Sequence, residues 1–343
     1  MTILTFNVIK VFSLAAIASA LAIFWCPMLT NFLYKHKLWK TSARKKAISG
    51  EDATVFNSLH KEKEVGTPRM GGLLIWITVV LVTFIFYFTP FNFLSRGQTW
   101  LPLFTLIVAS VVGLVDDFLV VKGWGKYIGG GISFKKRLFL VALIGLIGSI
   151  WFYQKLGWDV VYIPFVGDVS FGLWYIPFFI LVTVACWSGG IIDGIDGLAG
   201  GTFASIFGAF SIISFSLGKI DLAAFCAVIC GTLFAFLWFN IPPARFYMTE
   251  TGILGLTAVL SVVAFLTDSV YVLPIIAGLL VIEVLSVIIQ LLSKKIIKKK
   301  IFLSTPIHHH FEALGWPAYK VTMRAWIIGI VLAFAGVAIR LLR

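Results

Sequence analysis

Long apolar runs, broken by short polar segments, recur from one end of this chain to the other. A helix needs roughly 20 residues to cross about 30 Å of hydrocarbon, and in lipid every backbone polar group must be satisfied within the segment. The runs therefore predict spans at 11–30, 71–89, 101–115, 138–152, 171–187, 198–217, 222–239, 253–266, 270–292 and 325–341. The expected fold is an all-α polytopic membrane protein of about ten transmembrane helices, with residues 1–343 forming a single integral-membrane domain. With 60% hydrophobic and only 13% charged residues, the composition excludes a soluble globular enzyme, a disordered chain and a secreted disulfide scaffold. Cys26, Cys186, Cys226 and Cys230 all lie in apolar stretches and read as buried thiols. Trp25, Cys26 and Pro27 stand where a small-residue cleavage site would be needed, so the first run is expected to be retained as a span.

The net charge of +13 is unevenly distributed. Segments 31–70, 116–137, 240–252 and 293–324, with the turn 188–197 that has no Lys or Arg, share one side and hold 22 of the 28 Lys and Arg residues. Cytoplasmic loops carry the positive excess, so these five loops face inward and both termini face out. Basicity here reports topology and contact with membrane lipid, and no nucleic acid is expected. On the outer side, Asp159-Val160-Val161-Tyr162-Ile163 alternates and predicts a short hairpin within 154–170.

The chain has only fifteen Asp and Glu residues, and several mark the inner loops. Asp116 and Asp117 follow the third span, Asp193 and Asp196 sit in Gly189-Gly190-Ile191-Ile192-Asp193-Gly194-Ile195-Asp196-Gly197, and Glu250 lies in the next loop. Carboxylates gathered at one membrane face repel one another unless a cation lies between them. A hard ion such as Mg²⁺ suits one or two carboxylates plus substrate phosphate oxygens. The same residues also read more plainly: an acidic helix end, a glycine-rich membrane hinge and a solvated loop glutamate. His308, His309 and His310 form a run that could be a pH-sensitive patch, a soft-metal site or an anion-binding group. Glu283 falls within the ninth span, where a carboxylate is by default a functional or helix-pairing residue.

Five motifs in order resemble one family. Gly66-Thr67-Pro68-Arg69-Met70-Gly71-Gly72, Asp116-Asp117-Phe118, Asp193-Gly194-Ile195-Asp196-Gly197-Leu198-Ala199, Glu283-Val284-Leu285-Ser286 and Pro306-Ile307-His308-His309-His310-Phe311-Glu312 are similar to those of the phospho-N-acetylmuramoyl-pentapeptide transferases. These are MraY-type translocases of the polyprenyl-phosphate N-acetylhexosamine-1-phosphate transferase superfamily. The histidine motif favours the muramoyl-pentapeptide branch. The resemblance implies a Mg²⁺-dependent, multi-pass enzyme of the cell membrane with its active site on cytoplasmic loops. It implies transfer of phospho-MurNAc-pentapeptide from UDP-MurNAc-pentapeptide to undecaprenyl phosphate, giving lipid I and UMP for peptidoglycan synthesis. It further implies catalytic roles for Asp116, Asp117 and Asp193. Substrate contacts are implied for Lys63, Asp196, His308, His309 and His310, and metal ligation for Glu250; a homodimer is compatible with it.

Against the family pattern, Glu250 replaces Asp, Thr249 replaces Gly, Ile253 replaces Ser and Arg69 replaces Thr. Trp187 and Gly190 stand where the family places Asn. A sister enzyme using a UDP-GlcNAc-type donor, and an inactive membrane scaffold or transporter, are the alternative functions.

Overall fold

The computed structural model describes residues 1–40, 65–125 and 130–343. Among the described residues, eight stretches are long and apolar enough to cross a membrane. They contain α1 (Ile3–Lys35), α3 (Trp100–Val121), α4 (Phe134–Ile150), α5 (Tyr175–Ser188), α6 (Leu198–Ser216), α7 (Ile220–Asn240), α8 (Thr249–Leu266) and α12 (Ala318–Leu341). A shorter helix, α2 (Leu73–Ile85), occupies the second expected span. The chain is a multi-pass, all-α membrane protein.

The ninth expected span is not continuous. It consists of α9 (Leu273–Ile276) and α10 (Gly278–Ile296), separated at Ala277. The short α9 packs against α12, and a Cβ on Gly278 would touch Leu332 of α12. The break thus lets one apolar run serve two packing directions. The third span overruns its expected end: α3 continues through Phe118-Leu119-Val120-Val121, which places Asp116 and Asp117 inside a helix. Glu250, expected in a loop, instead lies in the first turn of α8.

Burial orders the bundle. Some 94% of the α8 span is buried, against 28% for the spans of α1, α4 and α12, so α8 is the central post and the others face lipid. Helices in lipid gain little from the hydrophobic effect and associate through close packing of small residues. That device sets the functional end of the bundle: at Gly113 of α3, a Cβ would strike the carbonyl oxygen of Glu250. At the opposite end, Phe179 stacks on Phe265 at 4.2 Å, with Phe152 and Tyr175 beside them. The predicted hairpin is present as β1 (Val160–Ile163) and β2 (Gly167–Ser170), antiparallel with Val160 opposite Ser170.

Candidate active site

The close approach of α3 and α8 sets Thr249, Glu250 and Thr251 against the two aspartates of α3. Asp117 has no exposed surface. Its Oδ1 accepts from Arg69 Nη2 at 2.9 Å and Nε at 3.3 Å. Its Oδ2 accepts from Thr249 Oγ1 at 2.5 Å, Thr251 Oγ1 at 2.6 Å and the Thr251 N–H at 2.9 Å. Asp116 is equally engaged, accepting from the Ile132 N–H at 2.6 Å and from Arg137 Nη2 at 2.8 Å. Arg137 Nη1 donates to Glu250 Oε1, so one guanidinium bridges α3 and α8. Buried carboxylates are tolerated only when paired and hydrogen-bonded, and these are.

Thr249 joins the cluster to the next loop. Its backbone N–H donates to Asp193 Oδ2 at 2.8 Å, while its hydroxyl accepts from the Met70 N–H at 3.1 Å. Its φ is +54°, a left-handed conformation rare for a β-branched residue. The bonds to Asp117 and Asp193 hold it there. Burial pushes the Asp193 carboxyl up to about 6, although the Thr249 N–H and Arg69 pull the other way.

The histidines approach from the opposite side. They sit on α11 (Ile307–Ala313), with His308 and His309 buried and their rings 4.2 Å apart. His308 Nδ1 pairs with Glu283 Oε2 at 2.9 Å, and His309 Nδ1 pairs with Glu312 Oε2 at 2.7 Å. Each ring therefore turns its Nε2 toward the Asp193–Asp196 loop. A side chain at Gly194 would collide with His308 Nε2 and lie 3.1 Å from His309 Nε2, so glycine is required for this approach. His308 Nε2 is buried without a partner among the described residues. Glu283, the intramembrane carboxylate, thus serves to hold a histidine.

Two residues singled out in the sequence stand apart. His310 Nδ1 accepts from the Leu303 N–H at 3.1 Å and its ring packs on Phe302, away from the other two. Asp196 Oδ2 accepts from the Ala244 N–H at 3.2 Å, and its carbonyl accepts from Thr322, which secures the turn. Lys63 lies outside the described residues. Sequence reasoning passed over Arg137, Thr251 and Glu312. A signal for Arg137 existed: Lys135, Lys136 and Arg137 are consecutive in the first turn of α4. At 3.6 residues per turn, three neighbours cannot all face water beside a packed bundle.

Comparison with known proteins places this geometry. The glycosyl transferase family 4 model matches residues 99–268. A phospho-N-acetylmuramoyl-pentapeptide-transferase of Chloroflexus aurantiacus is 36% identical, over 81% of this chain and 78% of its own length. Those of a Geobacillus species and of Pelagibacter ubique are each 34% identical, over 81% and 83% of this chain and 85% and 82% of their own lengths. The chain belongs to the phospho-N-acetylmuramoyl-pentapeptide-transferase family. Two of the positions set apart in the sequence, Gly190 and Ile253, are in contact. A Cβ on Gly190 would collide with the Ile253 side chain, so the two positions share one space, and a larger residue at one excludes a side chain at the other. Trp187 packs at 5.7 Å on Phe134, the first residue of the helix that carries Arg137.

The family's expected Mg²⁺ can be tested against these donors. No three His, Cys, Asp or Glu side chains among the described residues form a metal-holding group. Mg²⁺ asks for less, because substrate phosphates complete its shell. Among the described residues, Glu250 Oε2 is buried with no hydrogen-bond partner, in a cluster where four carboxylates face two guanidiniums. An orphaned oxygen in a net negative cluster fits a divalent cation.

Proposed function

We propose that this chain transfers phospho-MurNAc-pentapeptide from UDP-MurNAc-pentapeptide to undecaprenyl phosphate, releasing UMP and forming lipid I. The observation that carries the reading is a juxtaposition. An apolar cavity of about 600 Å³ runs from Tyr162 and Tyr271 at the hairpin end to Cys186 and Ser188, bordered by Leu280 and Val284 of α10. Ser188 is five residues from Asp193, so a lipid tail in this groove brings its phosphate to the carboxylate–arginine cluster. The polar diphosphate reaches the same cluster from the aqueous side, which the positive excess of the inner loops assigns to the cytoplasm of a cell-membrane protein.

In the reaction, an oxygen of the lipid phosphate attacks the sugar-bearing phosphorus and the bond to UMP breaks. Both reactants are anions, so the protein must chiefly align them and offset charge. Asp117 and Asp116 hold the guanidiniums of Arg69 and Arg137 toward the incoming diphosphate. Asp193, with its carboxyl near 6, accepts a proton from the acceptor phosphate near neutral pH. His308 and His309 present Nε2 to the diphosphate, oriented by Glu283 and Glu312. A Mg²⁺ held by Glu250 would, when bound, neutralise phosphate charge and stabilise the departing UMP.

The test is turnover by the purified full chain with Mg²⁺, undecaprenyl phosphate and a panel of UDP-sugars. UMP release with UDP-MurNAc-pentapeptide alone is the expected result. Release with a UDP-GlcNAc donor instead would make the chain a sister enzyme, and none with any donor would leave a scaffold.

A further inference from the structure

Asp116, Asp117 and Glu250 present six carboxylate oxygens, and five of them already accept hydrogen bonds from the protein. The sixth is Glu250 Oε2. The two arginines that contribute differ in how many carboxylates they hold. Arg69 closes on Asp117, whose other oxygen is saturated by three further donors. Arg137 has divided loyalties: one arm of its fork goes to Asp116 and the other to Glu250. Its side chain is 13% exposed, against 18% for Arg69.

This arrangement opposes a bare divalent ion. Mg²⁺ demands near-octahedral oxygens at about 2.0–2.1 Å, and of these six only Glu250 Oε2 is not already receiving a hydrogen bond among the described residues. A fixed positive charge in contact with Glu250 also repels the ion directly. Phosphate changes the balance, because an arginine fork engages phosphate oxygens as well as it engages a carboxylate. A diphosphate arriving beside Arg137 competes with Glu250 for one arm of the fork and frees Glu250 Oε1.

We propose that Arg137 is an interlock: while its guanidinium holds Glu250 Oε1, its charge weakens the grip of this carboxylate on a divalent ion, and the ion is held tightly when a diphosphate draws the guanidinium away. The inference rests on the reading of Glu250 as metal ligand given above. Metal and nucleotide binding are then coupled, and linkage makes the coupling reciprocal.

The experiment measures Mn²⁺ binding by electron paramagnetic resonance to the purified full chain in detergent, with and without UDP, after subtracting Mn²⁺–UDP in buffer. UDP is expected to raise Mn²⁺ affinity by at least about tenfold, within the usual range of coupling, and Mn²⁺ should raise UDP affinity by the same factor. Arg137→Gln should bind Mn²⁺ without UDP at least as tightly as the unaltered protein does with it. Arg137→Lys, which keeps the charge but loses the fork, should retain part of the coupling; thermal unfolding of each variant confirms that it is folded. Equal Mn²⁺ affinity with and without UDP in the unaltered protein overturns the interlock, as does an Arg137→Gln variant that binds Mn²⁺ no more tightly than its parent. Glu250→Gln separates the two ideas. If Mn²⁺–UDP binding survives that change, the metal-ligand reading falls and the interlock with it. If binding is lost in Glu250→Gln but the parent shows no coupling, the interlock alone fails.

Discussion

The two ends of the bundle both carry arginine–carboxylate pairs, yet they have little in common. At the hairpin end, Arg343 reaches Asp168 at 2.7 Å and Asp268, whose side chains are 61% and 41% exposed, and lies 3.9 Å over the Tyr162 ring. At the inner end, Arg69 and Arg137 meet Asp117 and Asp116, which are at most 1% exposed. Exposed pairs gain little, since water screens them and two long side chains must be ordered. Buried pairs bring a large desolvation cost, so they persist in a membrane bundle only where every lone pair is met or where chemistry requires the charge. The outer pairs tie the hairpin to the C-terminal helix. The inner ones keep charge poised in a place that would otherwise expel it.

The contrast breaks most visibly at Asp117. Asp117→Asn keeps the shape but removes the charge that Arg69 faces, and turnover should fall by at least ~100-fold, the scale of one acid–base group. Its thermal midpoint should fall as well, because breaking a buried pair costs about 3–5 kcal/mol. Initial rates within a fewfold of the parent would remove Asp117 from the chemistry and make the inner cluster structural, like the outer one.

A middle-sized effect is expected where Gly190 meets Ile253. Gly190→Asn alone should destabilise the fold by about 1–3 kcal/mol, the usual cost of overpacking. Adding Ile253→Ser should recover most of that loss, which a thermal-unfolding double-mutant cycle would measure as coupling. Simple additivity would show that the two positions do not share one space.

The smallest effect belongs to the outer end. Arg343→Ala should change stability by no more than about 1 kcal/mol and leave turnover within twofold. A larger loss of activity would mean that the hairpin and its ties govern entry to the apolar groove, and the division between the ends would have to be redrawn.

Much of this was legible in the chain itself. Each of the ten expected spans coincides with helix among the described residues, the ninth in two pieces, and Asp159-Val160-Val161-Tyr162-Ile163 foretold the hairpin. The pattern could not show that 270–292 breaks at Ala277, because both halves are apolar and only packing against α12 separates them. Nor could it show that Glu250 begins a helix, since Thr249 enters that turn through a positive φ that its bonds to Asp117 and Asp193 sustain. Arg137 looked like any other basic residue of an inner loop.

Composition and the length of the apolar runs determined that this chain is a multi-pass membrane protein, because transfer into lipid is a local cost summed residue by residue. The motif order determined the family. The tertiary structure alone decided which charges meet. Arg69 joins Asp117 across 48 residues, and Arg137 joins Glu250 across 113. Such pairings depend on how closely helices approach at residues such as Gly113 and Gly194, and no local pattern encodes that distance.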